Sequence, residues 1–256
     1  MNIQFIEDLC KLKVTYYDIT DSTNNRAKDF LAKAPAYTGL IIADSQTAGR
    51  GRSGKSFYSP AGNGIYMTFT YKPNTGIGEA LSITTRTAVC VASVLEEVCN
   101  DSFAIKWVND IYYHDKKVCG ILAEAITTGV NEGSVIVGIG INVSPQVFPS
   151  DIADIAGSLP LAKISREEII GKISKRLVDI TSAFDASDIT YLDYYRSHSY
   201  LTGRKITYIE QGISKEALVL GIDDDGGLIV QTSDESSIVL HYGEVNTIRA
   251  TGSEAR

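Results

Sequence analysis

Four short segments of consecutive apolar, β-prone residues constrain the fold of this chain most strongly. They occupy residues 39–44, 65–71, 118–126 and 134–143. Runs of this length, bounded by polar and turn-forming residues, predict buried strands. Between the second and third runs, residues 80–99 carry apolar side chains at helical spacing, which predicts a long helix. The larger part of the chain is therefore expected to combine a buried sheet with helices.

Weaker patterns add further elements to this arrangement. Additional strands are predicted at 14–19, 104–108 and 111–113, and additional helices at 24–34, 165–184 and 188–200. The polar segment 114–117 predicts a hairpin turn. Residues 21–23 are all good N-cap residues for the helix that follows them. Ser165 and Glu168 form a capping box, which is a common start of a helix.

The character of the sequence changes after Leu201. Short apolar segments alternate with polar turns, a spacing typical of small all-β modules. These segments lie at 205–210, 216–222, 227–232 and 237–243. The aspartates at 223–225 are adjacent, whereas a calcium loop alternates its carboxylates, so a hairpin turn is predicted there. We expect a large domain at 1–200 and a small SH3-like β domain at 201–256.

Composition and charge argue against several classes of protein. The formal net charge is −7 and the sequence pI is about 5.0, whereas nucleic-acid-binding proteins usually carry a basic face. The four cysteines and three histidines have no spacing typical of a metal site. No apolar run is long enough for a signal peptide or a membrane span. We therefore expect a cytoplasmic protein with reduced cysteines, bound neither to a membrane nor to specific DNA.

Residues 49–56 read GRGRSGKS, which matches the phosphate-loop pattern of many nucleotide-binding proteins. In such a loop, a buried strand leads directly into the first glycine and a helix begins at the lysine. Here five residues, 44–48, separate the predicted strand from Gly49, and the residues after Ser56 lead into another strand. We therefore predict that the match to a phosphate loop is a coincidence.

The longer stretch 46–60 has a different significance. It resembles the ligand loop of biotin protein ligases, whose pattern runs roughly G-R-G-R-x-G-R-x-W-x-S-P. Four further family motifs stand in the family's order, DSTN at 21–24, KWVND at 106–110, KKVCGIL at 116–122 and VGIGINV at 137–143. The resemblance extends from about residue 14 to the end of the chain. Phe57 departs from it by replacing a tryptophan, Lys55 an arginine and Val108 a proline.

This resemblance implies an α+β fold, in which a mixed-sheet catalytic domain of the biotin/lipoate ligase type precedes a small SH3-like β-barrel. It also implies an enzyme that uses biotin, ATP and Mg2+ to form biotinyl-AMP. The biotin would then pass to a lysine of a biotin carboxyl carrier protein. Because the substrates supply the reacting groups, such a site has to bind and orient anions and does not need a nucleophilic side chain.

The resemblance assigns roles to individual residues as well. The implied biotin-binding residues are Ser22, Thr23, Asn24, Gln46, Arg50, Gly51, Arg52, Lys117, Gly138 and Gly140. The implied ATP-binding residues are Arg52, Lys55, Phe57, Lys106, Asn109, Asp110 and Asn142. Lys117, Arg52 and Asp110 would be catalytic, and Asp110 would also contact Mg2+. Without the resemblance, Lys117 would be an ordinary turn lysine and the arginines a solvated charge run.

Two other functions remain open at the level of sequence. One is a related lipoate or octanoyl ligase, although the G-R-G-R loop favours biotin. The other is a biotin-binding sensor that does not transfer biotin, against which the presence of Lys117, Arg52 and Asp110 argues. About a dozen residues precede the first predicted strand, too few for a three-helix DNA-binding unit. We therefore expect a monofunctional ligase and not a repressor.

Overall fold

A computed structural model describes residues 1–74, 80–129, 132–160 and 165–248 of the chain. The chain divides into two compact units, Met1–Asp188 and Ile189–Arg256. Among the described residues, no helix combines the length and the apolar character that crossing a lipid bilayer requires.

The first unit is built on a seven-stranded mixed sheet. Its elements are α1 (Ile3–Cys10), β1 (Val14–Thr20), α2 (Thr23–Lys33), β2 (Gly39–Gln46), β3 (Gly64–Tyr71), α3 (Ala80–Cys99), β4 (Ala104–Lys106), β5 (Asp110–Tyr113), β6 (Lys116–Gly129), β7 (Glu132–Asn142) and α4 (Arg166–Ser182). The strand order is β1-β2-β3-β7-β6-β5-β4. Strands β1 and β2 are parallel and the other neighbours are antiparallel. The predicted mixed sheet is therefore confirmed.

One buried cluster of this unit lies where α2 packs on the sheet. Ala27 and Leu31 of α2 contact Ile41 of β2 and Ile136 of β7 in one buried cluster. Every residue of β3 is buried, which explains why its sequence carries bulky side chains without polar alternation. The apolar segments from which strands were predicted thus form strands that helices cover.

Three local differences from the sequence-based expectation have simple causes. The predicted strand at 104–108 ends at Lys106, because the chain turns at residues 107–109. The predicted hairpin turn is shorter than 114–117, and both of its lysines lie in β6. Helix α1 was not predicted; it begins where the side chain of Asn2 accepts a hydrogen bond from the backbone N–H of Phe5.

The second unit is an antiparallel sheet with one short helix. It contains α5 (Tyr191–Ser197), β8 (Lys205–Glu210), β9 (Ile213–Ile222), β10 (Leu228–Thr232), β11 (Ser237–Leu240) and β12 (Val245–Thr247), and the strand order is β11-β10-β9-β8-β12. The edge strands do not pair with each other, so the described sheet is SH3-like in content without closing into a barrel. Asp223 accepts hydrogen bonds from the backbone N–H groups of Asp225 and Gly227, as the hairpin-turn prediction requires.

We expect the buried cluster beneath α2 to stabilise the first unit. Ile41→Ala removes a side chain with no exposed surface and should lower the free energy of unfolding by about 2–5 kcal/mol. Ile19→Ala, at a β1 position that is 67% exposed, should change it by less than about 0.5 kcal/mol. Urea denaturation of both variants measures the difference. Equal losses would contradict this assignment of the core.

Candidate active site

The glycine-rich loop after β2 folds back on itself. The backbone N–H of Gly51 donates to the carbonyl oxygen of Lys55 (2.7 Å), and that of Phe57 donates to the carbonyl oxygen of Gly49 (2.9 Å). A single 3-10 turn, Arg52–Gly54, forms its tip, and Gly54 there has a φ of +76°. No helix begins at Lys55. The prediction that this loop is not a phosphate loop is therefore confirmed.

Phe57 leaves this loop, and its ring packs against two glycines of the sheet. Gly120 of β6 and Gly140 of β7 are cross-strand partners. A Cβ atom added to Gly140 would meet the Phe57 ring at 2.6 Å, and one added to Gly120 would meet it at 3.3 Å. The same Gly120 position faces the Nζ atom of Lys117 at 3.3 Å. The glycines thus form a floor, named here the glycine floor, beneath an aromatic ring and an ammonium group.

Lys117 is held at the floor by its backbone and by one carboxylate. Its backbone N–H donates to the carbonyl oxygen of Ile155 (2.7 Å), and its carbonyl oxygen accepts from the N–H of Gly157 (2.9 Å). Its ammonium forms an ion pair with Asp110 Oδ1 (2.8 Å). The neighbouring lysine, Lys116, instead donates to the carbonyl oxygens of residues 153 and 154. Only Lys117 of the two therefore belongs to the site.

Arg52 connects the loop to the turn between β4 and β5. Its Nη1 donates to Asn109 Oδ1 (3.0 Å). Asn109 Nδ2 donates in turn to the carbonyl oxygen of Ile121 (2.8 Å), whose N–H donates back to the carbonyl oxygen of Asn109 (3.0 Å). Both polar atoms of the Asn109 side chain thus have protein partners. At the end of β4, the Lys106 ammonium lies 5.6 Å from the centre of the Tyr112 ring.

A cluster of buried polar side chains lies at the start of α2. The backbone N–H of Thr23 donates to Gln46 Oε1 (2.9 Å), and Gln46 Nε2 donates to Ser59 Oγ (2.9 Å). The hydroxyl group of Thr68 on β3 lies 2.8 Å from Thr23 Oγ1. Ser22 is buried at the N-cap position, but its side chain makes no capping hydrogen bond. Ser22 therefore does not cap the helix through its side chain.

Asn24 extends this cluster toward the sheet. Its Oδ1 accepts from Thr68 Oγ1 (2.7 Å) and its Nδ2 donates to Glu124 Oε2 (2.9 Å). A Cβ atom at Gly138 would collide with Asn24 Oδ1. Gly138 and Gly140 are two residues apart on β7, so they lie on the same face of the sheet. The polar cluster and the glycine floor therefore share one face.

The remaining predicted residues surround these two groups. Arg50 Nη1 donates to Asn25 Oδ1 (3.0 Å), which ties the loop to α2. Asn142, at the end of β7, donates to the carbonyl oxygen of Gly157 (2.9 Å) and so holds the segment that backs Lys117. Lys55 is exposed at the loop.

Two comparisons with known proteins bear on this arrangement. Residues 16–142 match the biotin/lipoate A/B protein ligase family, and residues 203–246 match the biotin protein ligase C-terminal domain. The bifunctional ligase/repressor BirA of Bacillus subtilis is 34% identical over 229 residues, which cover 86% of this chain and 69% of that protein. The biotin–[acetyl-CoA-carboxylase] ligase of Paracoccus denitrificans is 30% identical over 225 residues, covering 83% and 91%.

The chain belongs to the biotin protein ligase family. Among solved structures, the biotin protein ligase of Aquifex aeolicus in complex with biotin and ATP has a TM-score of 0.78 and 27% identity, over 93% of this chain and 99% of that one. The α+β fold class expected from the sequence is thereby confirmed for this biotin protein ligase.

Several residues that contact the predicted site residues were missed by sequence reasoning. Thr68, Gly120 and Glu124 all lie inside apolar strands and contact predicted residues. The available signal was Glu124 itself, because a carboxylate within an otherwise apolar run is unusual. Cys119 is also adjacent to the site, but burial raises the pKa of its thiol. That thiol therefore stays protonated and is no nucleophile.

Asp110 is compatible with a magnesium ion, although it cannot hold one alone. Among the described residues no group of three or more His, Cys, Asp or Glu side chains is arranged around a common point. Mg2+ bound with a nucleotide usually takes one or two carboxylates, and phosphate oxygens and water supply the remaining ligands. A single carboxylate beside Lys117 fits that requirement.

The glycine floor yields a direct test. In Gly140→Ala the added methyl group should force the Phe57 ring away from the sheet, because the two would be 2.6 Å apart. The ring is the free end of a side chain, so the melting temperature should fall by no more than about 4 °C. Gly221→Ala, where a Cβ meets nothing within 4 Å, is the control. A crystal structure of Gly140→Ala with an unmoved Phe57 would contradict this packing.

Proposed function

We propose that this biotin protein ligase activates biotin with ATP and transfers it to a lysine of a biotin carboxyl carrier protein. In the first step a carboxylate oxygen of biotin attacks the α-phosphorus of ATP, and the bond to the β-phosphate breaks with release of pyrophosphate. In the second step the acceptor amine attacks the acyl carbon, AMP leaves, and the amine loses a proton. The names of the relatives in P. denitrificans and A. aeolicus support this reaction.

The observation that carries the proposal is the position of Lys117. Its ammonium lies at the glycine floor, on the face of the sheet that also bears the polar cluster. A substrate that spans the two would place its reacting end at this ammonium. There a compact cation brings two anions together and offsets the charge that develops on the phosphate oxygens. We assign Arg52 to the phosphate as a second cation, since guanidinium groups bind phosphate in a fixed fork.

The polar cluster is suited to the ureido ring of biotin. Ser22, Thr23 and Asn24 present small polar groups in a buried setting, where an unmatched ligand would leave hydrogen-bonding groups unpaired. We assign these three residues to biotin, together with Gln46, Arg50, Gly51, Gly138 and Gly140 around them. Gln46 contributes chiefly by orienting Thr23, because both ends of its amide have protein partners.

The nucleotide would lie beside the Phe57 ring that covers the glycine floor. We assign Phe57 to one face of the adenine, where an aromatic ring stacks favourably. Asn109, Lys106, Lys55 and Asn142 surround the same region as ATP-binding residues. Asp110 would hold Mg2+, which when bound neutralises negative charge on the phosphates.

A lipoate ligase is the main competing function. Its substrate carries an apolar dithiolane ring in place of a urea. The acceptor capacity of the buried Thr23 hydroxyl oxygen argues against such a ligand, because a dithiolane ring offers that oxygen no N–H group. We further propose a cytoplasmic enzyme that recognises no specific DNA sequence, which the formal net charge of −7 supports.

The central test exploits two adjacent lysines. Lys117→Met removes the cation at the floor and should lower biotin-dependent exchange between pyrophosphate and ATP by at least about a hundredfold. Lys116→Met loses an ammonium that contacts only backbone carbonyls and should retain exchange within about threefold. Both proteins should have the circular dichroism spectrum of the wild type. Exchange at the wild-type rate in a folded Lys117→Met protein would remove Lys117 from the mechanism.

A second test concerns the loop at residues 49–56. It contains three glycines and three cations, and it buries little apolar surface, so it should open readily in the free enzyme. Trypsin should therefore cut after Arg50, Arg52 or Lys55 without substrates. Biotin with Mg-ATP should slow this cleavage at least about tenfold by supplying anionic partners to the loop. Mass mapping of the products, with each substrate alone as control, decides; equal rates would refute closure over the adenylate.

A further inference from the structure

Glu124 is a carboxylate within the apolar strand β6, and its two oxygens have different partners. Oε1 accepts from Lys28 Nζ (2.7 Å), and Oε2 accepts from Asn24 Nδ2 (2.9 Å). Burial acts to raise the pKa of this carboxyl group, but hydrogen bonds from Lys28 and Asn24 and the charges of Lys28 and Arg50 outweigh it and lower the pKa. Glu124 is therefore ionised at neutral pH and can only accept hydrogen bonds.

An ionised Glu124 fixes which way the Asn24 amide points. Because a carboxylate cannot donate, Asn24 must turn Nδ2 toward Glu124 and Oδ1 toward Thr68. The Thr68 hydroxyl group has one proton, which Asn24 Oδ1 at 2.7 Å then requires. Thr68 therefore cannot also donate to Thr23.

This constraint determines what Thr23 offers to a ligand. The single hydroxyl proton of Thr23 can go to Thr68 Oγ1 at 2.8 Å or to Gln46 Oε1 at 3.2 Å, and both are protein atoms. Neither lone pair of the Thr23 oxygen then receives the Thr68 proton, so both can accept from a ligand. A ligand that donates an N–H is matched by this arrangement, and one that brings only acceptor atoms is not.

We propose that Glu124, with Lys28 as its counter-ion, is a positioning residue that keeps the Thr23 hydroxyl oxygen an acceptor for an N–H group of the substrate's cyclic urea. The inference rests on the proposed function, since it assigns the polar cluster to biotin. Glu124 acts through Asn24 and Thr68 and does not touch the reacting atoms. Its loss should thus weaken biotin binding while leaving the nucleotide and the chemical step unaffected.

Glu124→Gln is the informative substitution. A glutamine at this position can donate to Asn24, so the Asn24 amide can reverse, and the released Thr68 proton then occupies one of the two lone pairs of Thr23 Oγ1 and competes with the ligand. We expect the KM for biotin in pyrophosphate exchange to rise about tenfold, as for a lost hydrogen bond to a ligand. The KM for ATP and kcat should stay within about twofold. Calorimetry with biotin alone should show the same loss in affinity.

Three further variants separate positioning from stability. Lys28→Met keeps the bond between Glu124 and Asn24 and should raise the biotin KM by only about threefold. The double variant should be no worse than Glu124→Gln alone, because both changes act through one path. Glu97→Gln is the matched control, since Glu97 also bridges two cations, Lys172 and Arg176, but joins α3 to α4 away from the site. It should leave all three constants unchanged.

The possible outcomes distinguish a failure of the proposed function from a failure of the positioning role. No exchange by the wild-type enzyme with biotin would refute the proposed function itself. An active wild type with a Glu124→Gln variant that behaves as Glu97→Gln would refute the positioning role alone. A Glu124→Gln variant that loses affinity for ATP and biotin equally, with a lower melting temperature, would make Glu124 a structural residue and would also overturn the proposal.

Discussion

The site depends on three glycines, which carry no side chain, at the centre of a sheet that is otherwise covered by side chains. Around them, every residue of β3 and most residues of β7 are buried. At Gly138 the gap is taken by the amide of Asn24, and at Gly120 and Gly140 by the ring of Phe57. A methyl group at these positions would push those side chains outward. The flatness of this face thus sets how closely both the polar cluster and the loop approach the strands.

The polar cluster follows from the cost of burying hydrogen-bonding groups. Thr23 and Asn24 are almost entirely removed from water, so each polar atom needs a partner to avoid a penalty of about 1–3 kcal/mol. Those partners come from strands distant in sequence, Thr68 on β3 and Glu124 on β6. Because Glu124 can only accept, the Asn24 amide and the Thr68 proton have a fixed direction, and that direction suits a donor ligand.

Much of the fold could be predicted from the sequence, because apolar runs and capping residues act locally. The strands at β2, β3, β6 and β7 and the helix α3 were expected from their patterns. Helix α1 was missed because Asn2, which caps its first turn, indicates the start of a helix only where a helix is already expected. Lys117 was expected in a turn and lies in a strand, because the turn between β5 and β6 needs only two residues.

The sequence by itself predicted most of the candidate site residues, through motifs in the order of a known family and a loop of glycines and cations, but it did not indicate Thr68 or Glu124. It also excluded a phosphate loop, since no helix could follow Lys55. Only the tertiary structure decided how the motifs meet. Register between β6 and β7 pairs Gly120 with Gly140, and α2 reaches β6 through Asn24 and Glu124. Such contacts join residues a hundred positions apart in the chain, and no local pattern specifies them because they arise from packing.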